Sequence, residues 1–212
     1  MEGYKTVEKA GVDEFTEHRS RFIGAAVPVS TEREALDFIA KRKSEFWDAK
    51  HNVYAYVLRD GNIRRFTDDS EPQGTAGMPT MDAILKNGVT DVCIVTTRYF
   101  GGVLLGAGGL VRAYSHAAKI ALDAAGIVTM QPVNDCTFSC DYHQYGKLNS
   151  LLESLGALDV IADFAENVTV NFSALQTDFK RVEAAITDAT SGSINVQVKG
   201  ERFAMIKLQQ EK

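Results

Sequence analysis

Two arginines, Arg98 and Arg112, bracket five glycines within nine residues: Gly101, Gly102, Gly106, Gly108 and Gly109. Glycine lets a backbone adopt φ > 0 and approach another group closely. A glycine-rich turn that leads into a helix presents unpaired N–H groups, which suits an anion. The run Val92-Cys93-Ile94-Val95 before it reads as a buried strand, and the Ala-rich segment from Leu110 to Ala125 as a helix. The expected unit is strand, anion-holding loop, helix. Arg98 closes the strand, and the aromatics Tyr99, Phe100 and Tyr114 lie near the loop, where aromatic rings can stack on unpaired bases. Arg112 falls in the expected first helical turn, where a cation opposes the helix dipole and so points to a functional purpose. Arg112, His116 and Lys119 share one helix face. The loop has neither a Lys-Ser/Thr ending nor a G-x-G-x-x-G in a dinucleotide-binding setting. A tight structural turn is therefore the competing reading.

A second loop, Asp68-Asp69-Ser70-Glu71-Pro72-Gln73-Gly74-Thr75-Ala76-Gly77-Met78-Pro79, crowds three carboxylates together. Turn chemistry alone accounts for Asp, Ser, Pro and Gly here. Crowded carboxylates also suit a hard cation, but the spacing matches no defined cation loop, and no metal is assigned. A further role is pairing with Arg98 or Arg112, so that Asp68, Asp69, Glu71, Gly74, Thr75 and Gly77 position the glycine-rich loop. His51, Asp69, Glu71 and His116 are candidate acid–base groups. No Ser/His/Asp or Cys/His spacing accompanies them, and Ser115 and His116 are helical neighbours that point apart. Cys136 and Cys140 share a strand face, where core packing outweighs metal binding.

These groups must be held by elements that the pattern marks. Residues 12–29 contain two extended segments. Thr31 and Glu34 form a capping box that starts a helix, with Ala35, Leu36, Ile39 and Ala40 on its buried face and Lys41-Arg42-Lys43 solvated. His51 to Leu58 alternates as a strand, and Asp60-Gly61 turns it into a partner, Asn62 to Thr67. Arg64 and Arg65 point to opposite faces of that edge strand. Pro79 sits in a helix first turn, and Asn87-Gly88 ends the helix. Gly126 ends the long helix, Ile127 to Met130 is a strand, and Gln131 to Asp135 reads as a linker. Beyond it come a strand from Cys136, a helix marked by Tyr145, Leu148 and Leu152, strands Val160–Phe164 and Val168–Phe172, and a helix marked by Phe179, Val182 and Ile186. Two further strands, Ile194–Val198 and Phe203–Leu208, complete a ferredoxin-like order with one additional strand.

The chain has 212 residues and a net charge of −5, which argues against wholesale coating of nucleic acid. Residues 1–132 carry 16 Lys+Arg and 17 Asp+Glu, whereas residues 133–212 carry 7 and 11. Contact with RNA phosphates would thus rely on a local patch in the first part. Three cysteines, a polar start and no apolar run near the roughly 20 residues that span a bilayer lead us to expect a reduced, cytoplasmic protein with no membrane segment.

With these residues in view, the chain resembles a bacterial two-domain member of the IMPACT family. The blocks that carry the resemblance are Asp48-Ala49-Lys50-His51-Asn52-Val53-Tyr54-Ala55-Tyr56, the Asp68 to Pro79 loop, and Thr97-Arg98-Tyr99-Phe100-Gly101-Gly102 through Leu105 to Tyr114. Lys50 departs from the pattern, which more often has a small hydroxyl residue there. The resemblance implies an α+β protein: a βαβ-type domain over residues 1–132 and a ferredoxin-like domain over residues 136–212. The first would share the fold of a small-subunit ribosomal protein, of domain IV of elongation factor G and of GHMP kinases. The second would resemble domain V of elongation factor G. Eukaryotic relatives regulate translation by competing for an activator of a stress kinase. The leading expectation is accordingly a non-catalytic regulatory protein, monomeric and without a cofactor. It would contact RNA, the ribosome or a protein of the translation machinery through Arg98, Tyr99, the glycines 101, 102, 106, 108 and 109, Arg112 and Lys119. A phosphate- or nucleotide-binding hydrolase or phosphotransferase, and a protein–protein docking module, are the alternatives.

Overall fold

A computed structural model of the chain describes residues 2–206. Its contacts divide into two compact units, residues 4–129 and residues 130–206, the second joined by residues 2–3. The fold is α+β in both.

In the first unit, β1 (Tyr4–Val7) is bridged to Val89, and β2 (Gly11–Glu17) turns through His18 and Arg19 into β3 (Ser20–Pro28). Helix α1 (Glu32–Glu45) follows, then β4 (His51–Leu58), a 3₁₀ turn and β5 (Ile63–Thr67). Helix α2 (Gly77–Lys86), β6 (Val92–Tyr99) and the long helix α3 (Gly106–Ala125) complete it. The sheet order is β2-β3-β6-β4-β5, antiparallel at every pairing. Side chains alternate across such a sheet. Val92 and Ile94 therefore pack against Met81, Ile84, Ala118 and Leu122 of α2 and α3, while Cys93 and Val95 pack against Ala35 and Ile39 of α1. The small-residue face of α3 is needed for this approach, because a Cβ on Gly24 of β3 would lie 2.3 Å from the Ala117 carbonyl oxygen.

Thr31 caps α1 as expected, its side chain accepting from the Glu34 N–H, but the return bond of the capping box is shifted by one residue: Glu34 accepts from the Ser30 N–H at 2.6 Å. The buried stripe of α1 also differs. Leu36 and Ala40 are exposed, and Arg42 is buried with Ala35 and Ile39. Positions 35, 39 and 42 form one narrow stripe, and Arg42 is buried in it up to its guanidinium, which stacks on Phe46 at 4.4 Å and donates to Glu45 at 2.9 Å through Nη1 while Nε and Nη2 find no acceptor.

Residues 130–206 follow the ferredoxin-like order. β7 (Ile127–Cys140) leads through α4 (Tyr142–Ser154), β8 (Leu158–Phe164) and β9 (Val168–Leu175) to α5 (Phe179–Ala189) and β10 (Gln197–Ile206). β9 lies between β8 and β7, and β10 pairs with β7. Leu148, Leu152, Val182 and Ile186 cover one face of this sheet against Phe138, Val170 and Phe172. The expected linker 131–135 is part of the continuous strand β7. Pro132 can lie there because the ladder with β9 begins one residue later, at Val133 paired with Leu175. The two strands expected near the end are one, β10. Residues 194–196 stay outside it, and the last two residues of the expected Phe203–Leu208 strand lie outside the described residues. Among the described residues, no helix is long and apolar enough to cross a membrane.

Candidate anion-binding cleft

At one end of the first sheet, Phe22, Arg98 and His51 stand in a row across β3, β6 and β4, all turned toward α3. The Asp68–Ala76 loop closes over this row. Asp68 shapes the loop by accepting from the N–H groups of Gly74 (2.9 Å), Ala76 (3.1 Å) and Gly77 (2.8 Å), which caps α2 from outside the helix. Thr75 ties back to the Pro72 carbonyl at 2.6 Å. Gly77 is required because a Cβ there would sit 2.5 Å from the Thr67 oxygen. Asp69 and Ser70 adopt left-handed φ values of 43° and 71°, a conformation that asparagine and aspartate tolerate better than most residues. Asp69 is fastened there by the Asn52 N–H (2.6 Å) and the Lys43 ammonium (3.0 Å).

This turn drives Glu71 inward. Its Oε1 accepts from Arg98 at 2.6 Å and from the Tyr114 hydroxyl at 2.8 Å, and stands 3.7 Å from His51 Nε2. The Glu71 and Arg98 side chains are 4% and 6% exposed, so the charges compensate one another in a desolvated setting where neither could stand alone. Glu71 Oε2 takes none of these bonds. The His51 Nδ1 lies 2.9 Å from the Asp69 carbonyl, which can only accept. Nδ1 therefore carries the hydrogen, and Nε2 faces Glu71. Burial, and after it the charge and hydrogen bond of Glu71, push the Tyr114 hydroxyl well above the usual tyrosine range. Arg98 also donates to Ser20 Oγ at 3.3 Å, and the Gly101 N–H donates to the same oxygen at 3.2 Å. Gly101 permits this contact, since a Cβ there would lie 2.0 Å from the Arg19 backbone.

His51, Glu71 and Arg98 of this cluster line a cleft of about 360 Å³ together with Lys50 and Ser70; Phe100, Leu104, Leu105 and Leu110 form its apolar side, and the start of α3 faces it through Gly106 and Ala107. Leu104 is 85% exposed and Phe100 46%. Helix α3 begins at Gly106, so Gly106, Gly108 and Gly109 belong to its first turn and only Gly101 and Gly102 precede it. Leu105 provides no side-chain cap. The first four N–H groups of a helix have no intrahelical acceptor, and here they carry the positive end of a 20-residue helix. Lys50 is exposed and makes no ion pair among the described residues. The cleft thus offers one uncommitted cation, open helix N–H groups and an apolar wall, over a base layer in which charge is already balanced. An anion fits this arrangement.

Several expected site residues lie elsewhere. Tyr99 projects from the opposite face of β6, where its hydroxyl donates to Asp48 at 2.7 Å and its ring meets Phe46. Alternation along the strand separates it from Arg98. Arg98 is not a free phosphate ligand, because Glu71 neutralises it. Arg112 falls in the second turn of α3, and with His116 it lines a different hollow, next to Phe15. Lys119 is about 20 Å along the helix from Gly106 and is paired with Asp123 at 2.5 Å. Among the described residues no group of His, Cys, Asp and Glu is placed to hold a metal ion. Asp68, Asp69 and Glu71 turn to three separate sets of donors. Ser20, Asn52 and Lys50 were not singled out by sequence as members of the site. Tyr114 was expected near the loop as an aromatic surface for bases, whereas it is buried and its hydroxyl donates to Glu71, as a buried Tyr hydroxyl needs a partner.

The comparisons agree with this architecture. Residues 18–122 match the model of the Impact N-terminal domain, and residues 138–193 match a domain of unknown function, DUF1949. The chain is 38% identical over 199 residues to the IMPACT family member YvyE of Bacillus subtilis (strain 168), covering 93% of this chain and 91% of that one. It is 30% identical over 181 residues to the IMPACT family member YigZ of Escherichia coli (strain K12), covering 84% and 89%. A crystal structure described as that of an hypothetical protein superposes with a TM-score of 0.59 at 28% identity, over 94% of this chain and 98% of that one. With its two matched domains in order and this likeness to bacterial relatives along nearly its whole length, the chain belongs to the IMPACT family.

Proposed function

We propose that the protein is a non-catalytic binding protein of the translation machinery that takes a phosphate-bearing segment of RNA into the cleft at the start of α3. The observation that carries this reading is the pairing of the uncommitted Lys50 ammonium with the uncapped first turn of α3 at one cavity. The exposed Phe100 at the same cavity suits an unpaired base. Family membership supports the translation setting, because the eukaryotic relatives act there. Arg98 and Glu71 then shape the floor rather than touch the ligand. Co-sedimentation with ribosomes and total RNA across a salt series tests the reading. Salt-sensitive association that Lys50→Ala weakens is the expected result. No association at low salt, or an unchanged variant, rejects it.

One observation favours a second reading, a hydrolase or phosphotransferase. His51 Nε2 and Glu71 Oε1 are 3.7 Å apart beside the same cavity, a pair able to move a proton. Turnover of a panel of nucleotides and phosphate esters that His51→Gln abolishes would establish it. A wild-type protein inert toward the whole panel would remove it.

A further inference from the structure

Next to the cleft lies a second hollow of about 330 Å³, bordered by Phe15, Glu17 and His18 from the β2–β3 hairpin and by Gly109, Arg112 and His116 from α3. Leu105 lines both cavities. They therefore flank the same first turn of α3, one on each side of a single side chain. The charges of the second hollow are also uneven. Its one carboxylate, Glu17, is half-exposed at the rim, 3.3 Å from the His18 ring nitrogen. Arg112 is exposed and makes no ion pair among the described residues, and His116 is exposed with its ring edge-on to Phe15 at 4.6 Å. Long helical side chains lean toward the helix N-terminus, and Arg112 does so: its Nη1 lies 3.7 Å from where a Cβ on Gly108 would be. Its guanidinium thus reaches back to the turn that Lys50 approaches from the other side.

We propose that a single strand of RNA crosses the start of α3, with one phosphate in the cleft beside Lys50, another in the hollow beside Arg112, and Leu105 beneath the nucleotide between them. This rests on the RNA-binding reading above and adds to it a path and a minimum length. A lone phosphate would fill one cavity and leave the other cation uncommitted; a polymer with regularly repeated charges satisfies both. The rings of Phe100 and His116, one at each cavity, lie where successive bases can stack.

The test compares uridine monophosphate with an oligouridylate of about 12 nucleotides, a length within the site sizes of single-strand binders. Binding to the full chain is measured by anisotropy and competition at several salt concentrations. We expect the wild type to bind the oligomer much more tightly than the monophosphate. In Arg112→Ala that gain shrinks, and the slope of log affinity against log salt falls by about 0.7; in Arg112→Lys the slope is restored. If Arg112→Ala keeps the wild-type gain and slope while Lys50→Ala weakens both ligands, the strand path is wrong and the single-cleft reading stands. Absence of wild-type binding to either ligand removes both. An oligoglutamate of equal charge that competes as well as the RNA also overturns the strand, because an acidic peptide then meets the same requirement.

Discussion

Two arginine clusters of the molecule use the same parts and differ in solvent. In the first unit, Arg98 binds Glu71 and Ser20, with both charged side chains under a tenth exposed. In the second, Arg202 binds Asp135, Asp159 and Ser173, with side chains 42%, 40% and 63% exposed for the three charged residues. The exposed cluster has more contacts, including a 2.6 Å bond from Arg202 to Asp159 equal in length to the Arg98–Glu71 bond. Water screens it, however, and pairs of that kind contribute about 0–1 kcal/mol. The buried cluster cannot be judged by its bonds alone. Removing one partner strands an uncompensated charge in a desolvated site, which costs about 3–5 kcal/mol. Contact counting would thus rank the two clusters in the wrong order.

The comparison can be broken at its strongest point first. Glu71→Ala leaves Arg98 unpaired and is expected to lower stability by about 3–5 kcal/mol in urea unfolding. A loss under 1 kcal/mol would mean that water reaches the site and the contrast with Arg202 is false. Tyr114→Phe removes a hydroxyl donated to a carboxylate, at about 1.5–3 kcal/mol. It also has a pH signature. The Tyr114 hydroxyl is held above its ordinary range, so the folded protein keeps a proton that the unfolded chain releases above about pH 10. The stability it contributes is complete below that pH and declines as pH rises beyond it. Tyr114→Phe flattens this alkaline decline, and an unchanged alkaline limb would contradict the assignment. Asp68→Ala removes the cap of α2 and should cost about 0.5–2 kcal/mol while sparing the Arg98–Glu71 pair. Smallest of all, Arg202→Ala is expected to change stability by no more than about 1 kcal/mol; a larger drop would show that exposure misjudges the second cluster.

What could be read from the sequence follows the range of the forces involved. The strand and helix pattern of both units was legible because alternation and helical spacing are local. The capping of α1 by Thr31 is local and came through, while the return bond of Glu34 goes one residue further, to Ser30. Pairing of the carboxylate loop with Arg98 was among the readings, since opposite charges flanking two loops limit the choices. The start of α3 was misplaced because glycine is a poor helix former, and here the first turn contains three. Tyr99 was grouped with Arg98 because they are adjacent, although alternation along β6 sends them to opposite faces. Arg42 was given to solvent by its charge, whereas its stem and the face of its guanidinium serve as packing surface. Ser20 offered no local signal at all: it meets Arg98 across 78 positions and Gly101 across 81.

That Ser20 hydroxyl has a consequence for the order in which the protein becomes functional. One oxygen receives a donor from the end of β6 and another from the loop after it, and the same arginine reaches the turn 27 positions earlier. The floor of the cleft is therefore a knot tied from three distant stretches of the chain, and distant contacts close late. Competence to bind arrives only with the last stage of collapse. A nascent chain that has emerged as far as Leu58 holds Ser20 and His51 but not their partners. In stopped-flow refolding, ligand capture should lag behind the recovery of helix signal. If capture kept pace with early helix formation, the knot would not be what makes the cleft.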